Sequence, residues 1–188
     1  MGNPARAAHP RHVPRSLHIL ATGGTIDKVY FDALSEFQVG EPSVPAILRD
    51  AGLGYPFELT SLMRKDSLDM TEADRAAVRD AVEASDAEAV IVTHGTDTMV
   101  DTARALGDVR GRTVVFVGAM QPAALRATDA VFNSGFALAA AQLLPEGVWI
   151  AMNGEVFRPD EVRKDREGKR FVRDELAIGS AEFSRKRK

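Results

Sequence analysis

Short apolar runs alternate along the chain with segments of helical period. Six runs read as buried or half-buried strands: Leu17–Ala21, Glu58–Leu62, Ala89–Thr93, Thr113–Gly118, Val148–Met152 and the less apolar Lys169–Val172. Four helical patterns lie between them. Thr71–Ser85 opens with Thr71 three residues ahead of Asp74, a cap-like start. It sets Ala77, Val78, Ala81 and Val82 on one face, with Arg75, Arg79 and Glu83 outside. Thr98–Leu106 is shorter, Asp129–Leu144 is Ala-rich and stopped by Pro145, and Val44–Ala51 is closed by Gly52 and Gly54. Strands and helices in alternation predict a single three-layer α/β domain with a mostly parallel sheet.

The segment Lys28–Gly40 breaks this rhythm. It holds Tyr30, Phe31 and Phe37 among polar residues with neither period. Two readings stand side by side: a mobile lid over a site, and a β-hairpin that merely covers the sheet.

Size and charge narrow the function. At 188 residues, 45% hydrophobic and 27% charged, the chain suits one compact domain and is too short for two full-sized ones. It has no cysteine, which excludes disulfides and thiolate chemistry. No apolar run reaches the roughly 18 residues of a membrane span, and a cytoplasmic setting is expected. Met1–Arg15 carries Arg6, Arg11 and Arg15 without an apolar core, so residues 1–15 read as a disordered arm, 16–180 as the domain and 181–188 as a basic tail. Setting aside three Arg of the arm and the four basic residues Arg185–Lys188 leaves 17 basic residues against 27 acidic ones, a body near −10. Such a body argues against a nucleic-acid surface.

Two motifs follow predicted strands directly. Thr22-Gly23-Gly24-Thr25-Ile26 comes after the first, and Thr93-His94-Gly95-Thr96-Asp97-Thr98 ends the third. In an open parallel sheet, ligands bind beyond the carboxyl ends of strands where connections diverge. If the two strands are neighbours, two Thr hydroxyls and a carboxylate converge there. The double glycine permits a tight turn and leaves N–H groups for a developing negative charge. Neither G-x-G-x-x-G nor G-x-x-x-x-G-K-[ST] occurs at this turn, which demotes nucleotide binding. Read alone, Thr96 and Asp97 are helix caps and His94 is a structural hydrogen-bonder.

Together the motifs resemble the L-asparaginase family of bacterial type, the asparaginase/glutaminase amidohydrolases. The resemblance extends through Lys65-Asp66-Ser67-Leu68-Asp69-Met70, Val117-Gly118-Ala119-Met120-Gln121-Pro122, Thr128-Asp129 to Asn133, and Met152-Asn153 with Arg163-Lys164. It runs from Leu17 to Lys164 and is similar to the N-terminal domain of the long family form only. The fold it implies is flavodoxin-like and ends in a β-hairpin.

Carried over residue by residue, the resemblance implies that Thr25 attacks a side-chain amide carbon, with Tyr30 hydrogen-bonding its hydroxyl. Thr96, Asp97 and Lys164 form a second, triad-like cluster. Ser67 and Asp97 hold the substrate's α-carboxylate and α-amino group, and the Ala119 backbone faces the leaving amide; N–H groups at the turn that holds Gly24, or near Thr96, meet the oxyanion. The implied reaction converts asparagine to aspartate and ammonia through an acyl-threonine, with glutamine a poorer substrate and neither metal nor organic cofactor. A Thr hydroxyl needs a base or proton relay for such an attack. The implied partner is the small-molecule substrate, without nucleic acid or membrane, in a homodimer or homotetramer.

Three departures from the long form stand out. The sequence reads as a short-chain form without the second domain. Phe37 aligns with the long form's lid tyrosine, leaving Tyr30 as the available hydroxyl. Leu68 replaces a Gln that contacts the substrate carboxylate, which weakens binding and leaves the chemistry intact. Two alternatives remain: a component of a tRNA-dependent amidotransferase, and a non-catalytic amino-acid sensor.

Overall fold

Strands that are apolar on both faces belong at the centre of a covered sheet, and the sequence supplies three of them. The computed structural model describes residues 16–31, 36–54 and 56–174. Its strands are β1 (Leu17–Gly23), β2 (Lys28–Phe31), β3 (Glu36–Val39), β4 (Phe57–Lys65), β5 (Ala89–Thr93), β6 (Thr113–Val117), β7 (Gly147–Met152), β8 (Glu155–Phe157), β9 (Val162–Asp165) and β10 (Arg170–Arg173). The helices are α1 (Val44–Asp50), α2 (Glu72–Ala84), α3 (Met99–Ala105) and α4 (Ala130–Leu143). The main sheet runs β4-β1-β5-β6-β7-β8. Its first five strands are parallel; β8 returns antiparallel to β7. Counted along the chain, the parallel strands stand in the order 2-1-3-4-5, the flavodoxin-like arrangement. Every residue of β1, β5 and β6 is buried.

The order reverses between β1 and β5, so the turns after these strands flank the switch point where a crevice opens. Packing fixes the layers: α2 lies against α3, and α1 against α4. Because β1 to β4 steps toward one edge and β6 to β7 toward the other, two right-handed crossovers would put α1 and α4 on opposite faces. Their contact means that one of these connections has the reverse hand.

Thr71 and Asp74 form the expected capping box on α2, with the Asp74 N–H donating to Thr71 Oγ1 at 3.3 Å and the Thr71 N–H to Asp74 Oδ2 at 2.8 Å. The buried face differs from expectation. Val78 and Val82 are inside, but Ala77 is exposed and the Arg75 side chain is largely covered, donating to Glu72 at 2.6 Å. The face is rotated so that the Arg75 stem covers apolar surface while its head reaches a carboxylate.

Lys28–Gly40 contains the β2–β3 hairpin, a ladder separate from the main sheet. Its base closes through the Gly40 N–H donating to the Asp27 carbonyl at 2.8 Å. The second hairpin, β9–β10, ends the described chain; it places Phe171 opposite Lys164. The arm 1–15 and the tail 181–188 lie outside the described residues. Among the described residues, no helix is long and apolar enough to cross a membrane, and no His/Cys/Asp/Glu group could hold a metal.

Candidate active site

Backbone packing brings three turns together before any side chain is considered. After β1 the chain passes through Gly23 and Gly24, with φ of 97° and 88°, into a short 3-10 turn at Thr25–Asp27. A Cβ on Gly24 would overlap the backbone of Gly95, and one on Gly95 would meet Ser67 Oγ at 2.5 Å. The turns after β1, β5 and β4 are therefore stacked at a spacing only glycine allows. Hydroxyls lock the stack: Thr22 donates to the Thr93 carbonyl at 2.8 Å and Thr98 to the Ser67 carbonyl at 2.7 Å.

His94 is fully buried inside this assembly. Its Nδ1 lies 2.7 Å from the Gly95 carbonyl, which can only accept, so Nδ1 carries the proton and Nε2 accepts from Thr102 at 2.8 Å. Burial pushes its pKa down to about 4, so it stays neutral. Bonded through both ring nitrogens, it ties the Gly95 turn to α3.

Beyond the stacked turns lies a cleft of about 330 Å³ lined by Thr25, Thr96, Asp97, Met120, Gln121, Lys164, Arg166 and Lys169. Lys164 Nζ donates to Thr96 Oγ1 at 2.7 Å and to Asp97 Oδ1 at 2.9 Å. The capping role considered for Thr96 and Asp97 is not what the turn uses: Thr98 is the N-cap of α3, and it makes no side-chain cap bond. Thr25 is half-buried, and its hydroxyl bonds to no described residue. Lys164 arrives on β9, whose partner Phe171 donates its N–H to Asn153 Oδ1 at 2.9 Å. Asn153, with φ of 55°, and Gly154, with φ of 80°, make the β7–β8 turn. One side-chain amide thus ties the hairpin that carries Lys164 to the main sheet.

A match at family level accompanies this geometry. Residues 16–170 fit the family model described as "Asparaginase, N-terminal". The chain belongs to the asparaginase family. It is 32% identical over 125 residues to a glutamyl-tRNA(Gln) amidotransferase component of Thermoplasma acidophilum, covering 63% of this chain and 31% of that one. To a glutaminase-asparaginase of Acinetobacter glutaminasificans it is 30% identical over 167 residues, covering 78% and 48%. Among solved structures it is similar to the thermostable L-asparaginase of Thermococcus kodakarensis, with a TM-score of 0.73, 26% identity and coverage of 84% and 51%. L-asparaginase I of Vibrio cholerae gives 0.72 and 28%, with the same coverage. The chain spans about half the length of these asparaginases.

The expected asparaginase site residues divide into two groups. Thr25, Thr96, Asp97 and Lys164 meet in one cleft. Gly24, Tyr30, Ser67 and Ala119 are not among its lining residues. Tyr30 is 54% exposed and meets Phe37 edge-on, with ring centroids 5.6 Å apart. Ser67 is buried behind Gly95, with its hydroxyl unpartnered among the described residues. Ala119 is fully buried. The Gly24 N–H donates to the Lys65 carbonyl at 2.9 Å and is therefore not the free oxyanion donor expected of the glycine turn. Thr96 N–H, by contrast, has no acceptor among the described residues.

Met120 and Gln121 also line the cleft, beyond the residues expected from the sequence; their place just past the end of β6 is the signal that finds such positions. Asp129 fixes them, accepting from the Met120 N–H at 3.0 Å, the Gln121 N–H at 2.9 Å and Asn133 Nδ2 at 2.9 Å. Asp27, two residues past Thr25, is also buried. Its Oδ1 accepts from the Ser43 N–H at 2.8 Å, its Oδ2 has no partner among the described residues, and burial pushes its pKa up to about 6.

Proposed function

We propose that this protein hydrolyses the side-chain amide of asparagine to aspartate and ammonia, with glutamine a poorer substrate. The observation that carries the reading is the shared cleft: Thr25 lines the same cleft as Thr96, whose hydroxyl and neighbouring Asp97 are both held by Lys164. Asp97 takes the substrate ammonium, as a carboxylate beside an open cleft does. The Thr25 oxygen adds to the amide carbon, its proton passes to the leaving nitrogen, and ammonia departs from an ester on Thr25. Water then adds to the ester carbonyl, and its proton returns to the Thr25 oxygen as aspartate leaves. The Thr96–Lys164 pair relays these protons, and the Thr96 N–H faces the oxyanion. One such donor typically contributes about 2.7–4 kcal/mol to the transition state. Closure of the β2–β3 hairpin brings Tyr30 to the Thr25 hydroxyl.

Ammonia release from asparagine and glutamine, measured side by side on the purified protein, tests this. Turnover of asparagine with a higher kcat/KM than glutamine is expected; no release from either sinks the reading. A second reading, the glutaminase component of an amidotransferase, draws on the similarity to the Thermoplasma acidophilum protein. It predicts glutamine hydrolysis that appears only when a partner protein is added.

A further inference from the structure

We propose that Asp27 is a positioning residue for Thr25 and for the β2–β3 hairpin, holding the two as one unit; its effect on turnover rests on the amidohydrolase reading above. Asp27 is 1% exposed and is the one buried acidic residue among the described residues. A carboxyl group is seldom buried without partners that replace the lost water. Here the residue joins three segments. Its N–H donates to the Gly24 carbonyl at 3.1 Å, closing the 3-10 turn that carries Thr25. Its carbonyl accepts from the Gly40 N–H at 2.8 Å, at the base of the hairpin. Its Oδ1 accepts from the Ser43 N–H at 2.8 Å, where α1 begins. Oδ2 has no hydrogen-bond partner among the described residues, so the Ser43 bond is what anchors the side chain.

Neighbouring groups tighten the same junction. Ser43 Oγ donates to the Ile26 carbonyl at 3.3 Å, which also accepts from the Ala123 N–H at 3.1 Å, two residues past Gln121 of the cleft. A Cβ on Gly40 would stand 3.1 Å from the Val29 side chain and 3.3 Å from the Asp27 carbonyl oxygen, so the hairpin base closes at a spacing that suits glycine. Thr25 therefore takes its place from contacts made two residues further along, and Tyr30 follows three residues after Asp27 on β2. Asp97 comes after β5 and Lys164 lies on β9, outside this junction. Loss of the Asp27 side chain moves the attacking hydroxyl and leaves the ammonium site in place. A displacement of about 1 Å at a reacting group costs up to about 10²-fold in rate. KM, set by the binding contacts, stays.

The test uses the full chain with Asp27→Ala and the conservative Asp27→Asn, which keeps an acceptor for the Ser43 N–H. Ser43→Pro removes the donor instead, at a φ of −85° that proline tolerates. In Asp27→Ala and Ser43→Pro, kcat for asparagine is expected to fall about tenfold or more with KM within about twofold, and Asp27→Asn is expected to recover most of the loss. Amide hydrogen exchange followed by NMR reads the holding role without turnover. Exchange at Gly40 and Ser43 is expected to speed up about tenfold in Asp27→Ala and to stay slow in Asp27→Asn. Unchanged kcat in Asp27→Ala or Ser43→Pro overturns the positioning role, as does a raised KM at unchanged kcat. Asp27→Asn as slow as Asp27→Ala, with exchange still protected, assigns the effect to the carboxylate charge and overturns it too. If the wild type releases no ammonia, the amidohydrolase reading falls by itself. Faster exchange confined to Gly40 and Ser43 in Asp27→Ala then leaves the holding role standing, and unchanged exchange overturns it.

Discussion

Asp27 and His94 are both buried beside the stacked turns, and burial drives them in opposite directions. The Asp27 carboxyl is 1% exposed and its pKa rises from 3.8 to about 6; that of His94 falls from 6.5 to about 4. Between 3.8 and about 6, folded Asp27 retains a proton that the unfolded chain has lost, so stability falls as pH rises through this window. At about 1.4 kcal/mol for each tenfold change in proton activity, the loss is about 3 kcal/mol. Between about 4 and 6.5, the unfolded chain protonates its histidine while folded His94 stays neutral. Stability there rises with pH, again by about 3 kcal/mol. In the wild type the two contributions nearly cancel. Asp27→Asn keeps an acceptor for the Ser43 N–H and removes one titration. Urea unfolding, followed by Trp149 fluorescence at several pH values between 4 and 6.5, reads the result. The variant is expected to gain about 3 kcal/mol more than the wild type across this range. Carboxylates held below their usual range, such as Asp66 beside Lys28, titrate in both proteins and drop out of the difference. Parallel profiles for the two proteins would show that Asp27 ionises as freely folded as unfolded.

Gly24→Ala forces a Cβ into the Gly95 backbone at a φ of 88°, and a loss of at least about 2 kcal/mol in the urea-derived stability is expected. Asn153→Gly preserves the left-handed turn but removes the acceptor for the Phe171 N–H, loosening the strand that carries Lys164. Its kcat is expected to fall several-fold while Asn153→Asp retains activity; equal rates would show that the link does not position Lys164. Tyr30→Phe, at an exposed position, leaves stability within about 0.5 kcal/mol. If hairpin closure supplies its hydroxyl to Thr25, kcat in the ammonia assay drops by about 10²-fold or more; unchanged kcat would remove Tyr30 from the mechanism.

The strands buried on both faces were legible because near-continuous apolar runs have few other uses. Periodicity alone does not reveal β2, β3, β8 and β9, since runs of three or four mixed residues carry no distinguishable period; the β2–β3 hairpin is one of the two readings of Lys28–Gly40, and the terminal hairpin comes from the family resemblance. The rotated face of α2 was missed because an arginine stem can cover apolar surface that alanine does not claim. At the cleft, Thr25, Thr96 and Asp97 lie in compact motifs, yet Lys164 sits 68 positions from Thr96 and joins it only through the hairpin fold. Family resemblance placed Lys164 in the cluster; spacing alone does not. Arg166 and Lys169, which also line the cleft, belong to no motif; Lys169 reads as the start of the strand Lys169–Val172, whereas β10 begins at Arg170. The position of Tyr30 depends on how the β2–β3 hairpin stands relative to the cleft, which sequence does not encode locally.

In the proposed reaction the two threonine hydroxyls, Thr25 and Thr96, serve one substrate. Ammonia release from asparagine by Thr25→Ala and Thr96→Ala, each checked for native circular dichroism, tests it most directly. Both variants are expected to lose essentially all turnover while remaining folded. Full activity in either one, with the wild type active, would show that its hydroxyl takes no part in the reaction.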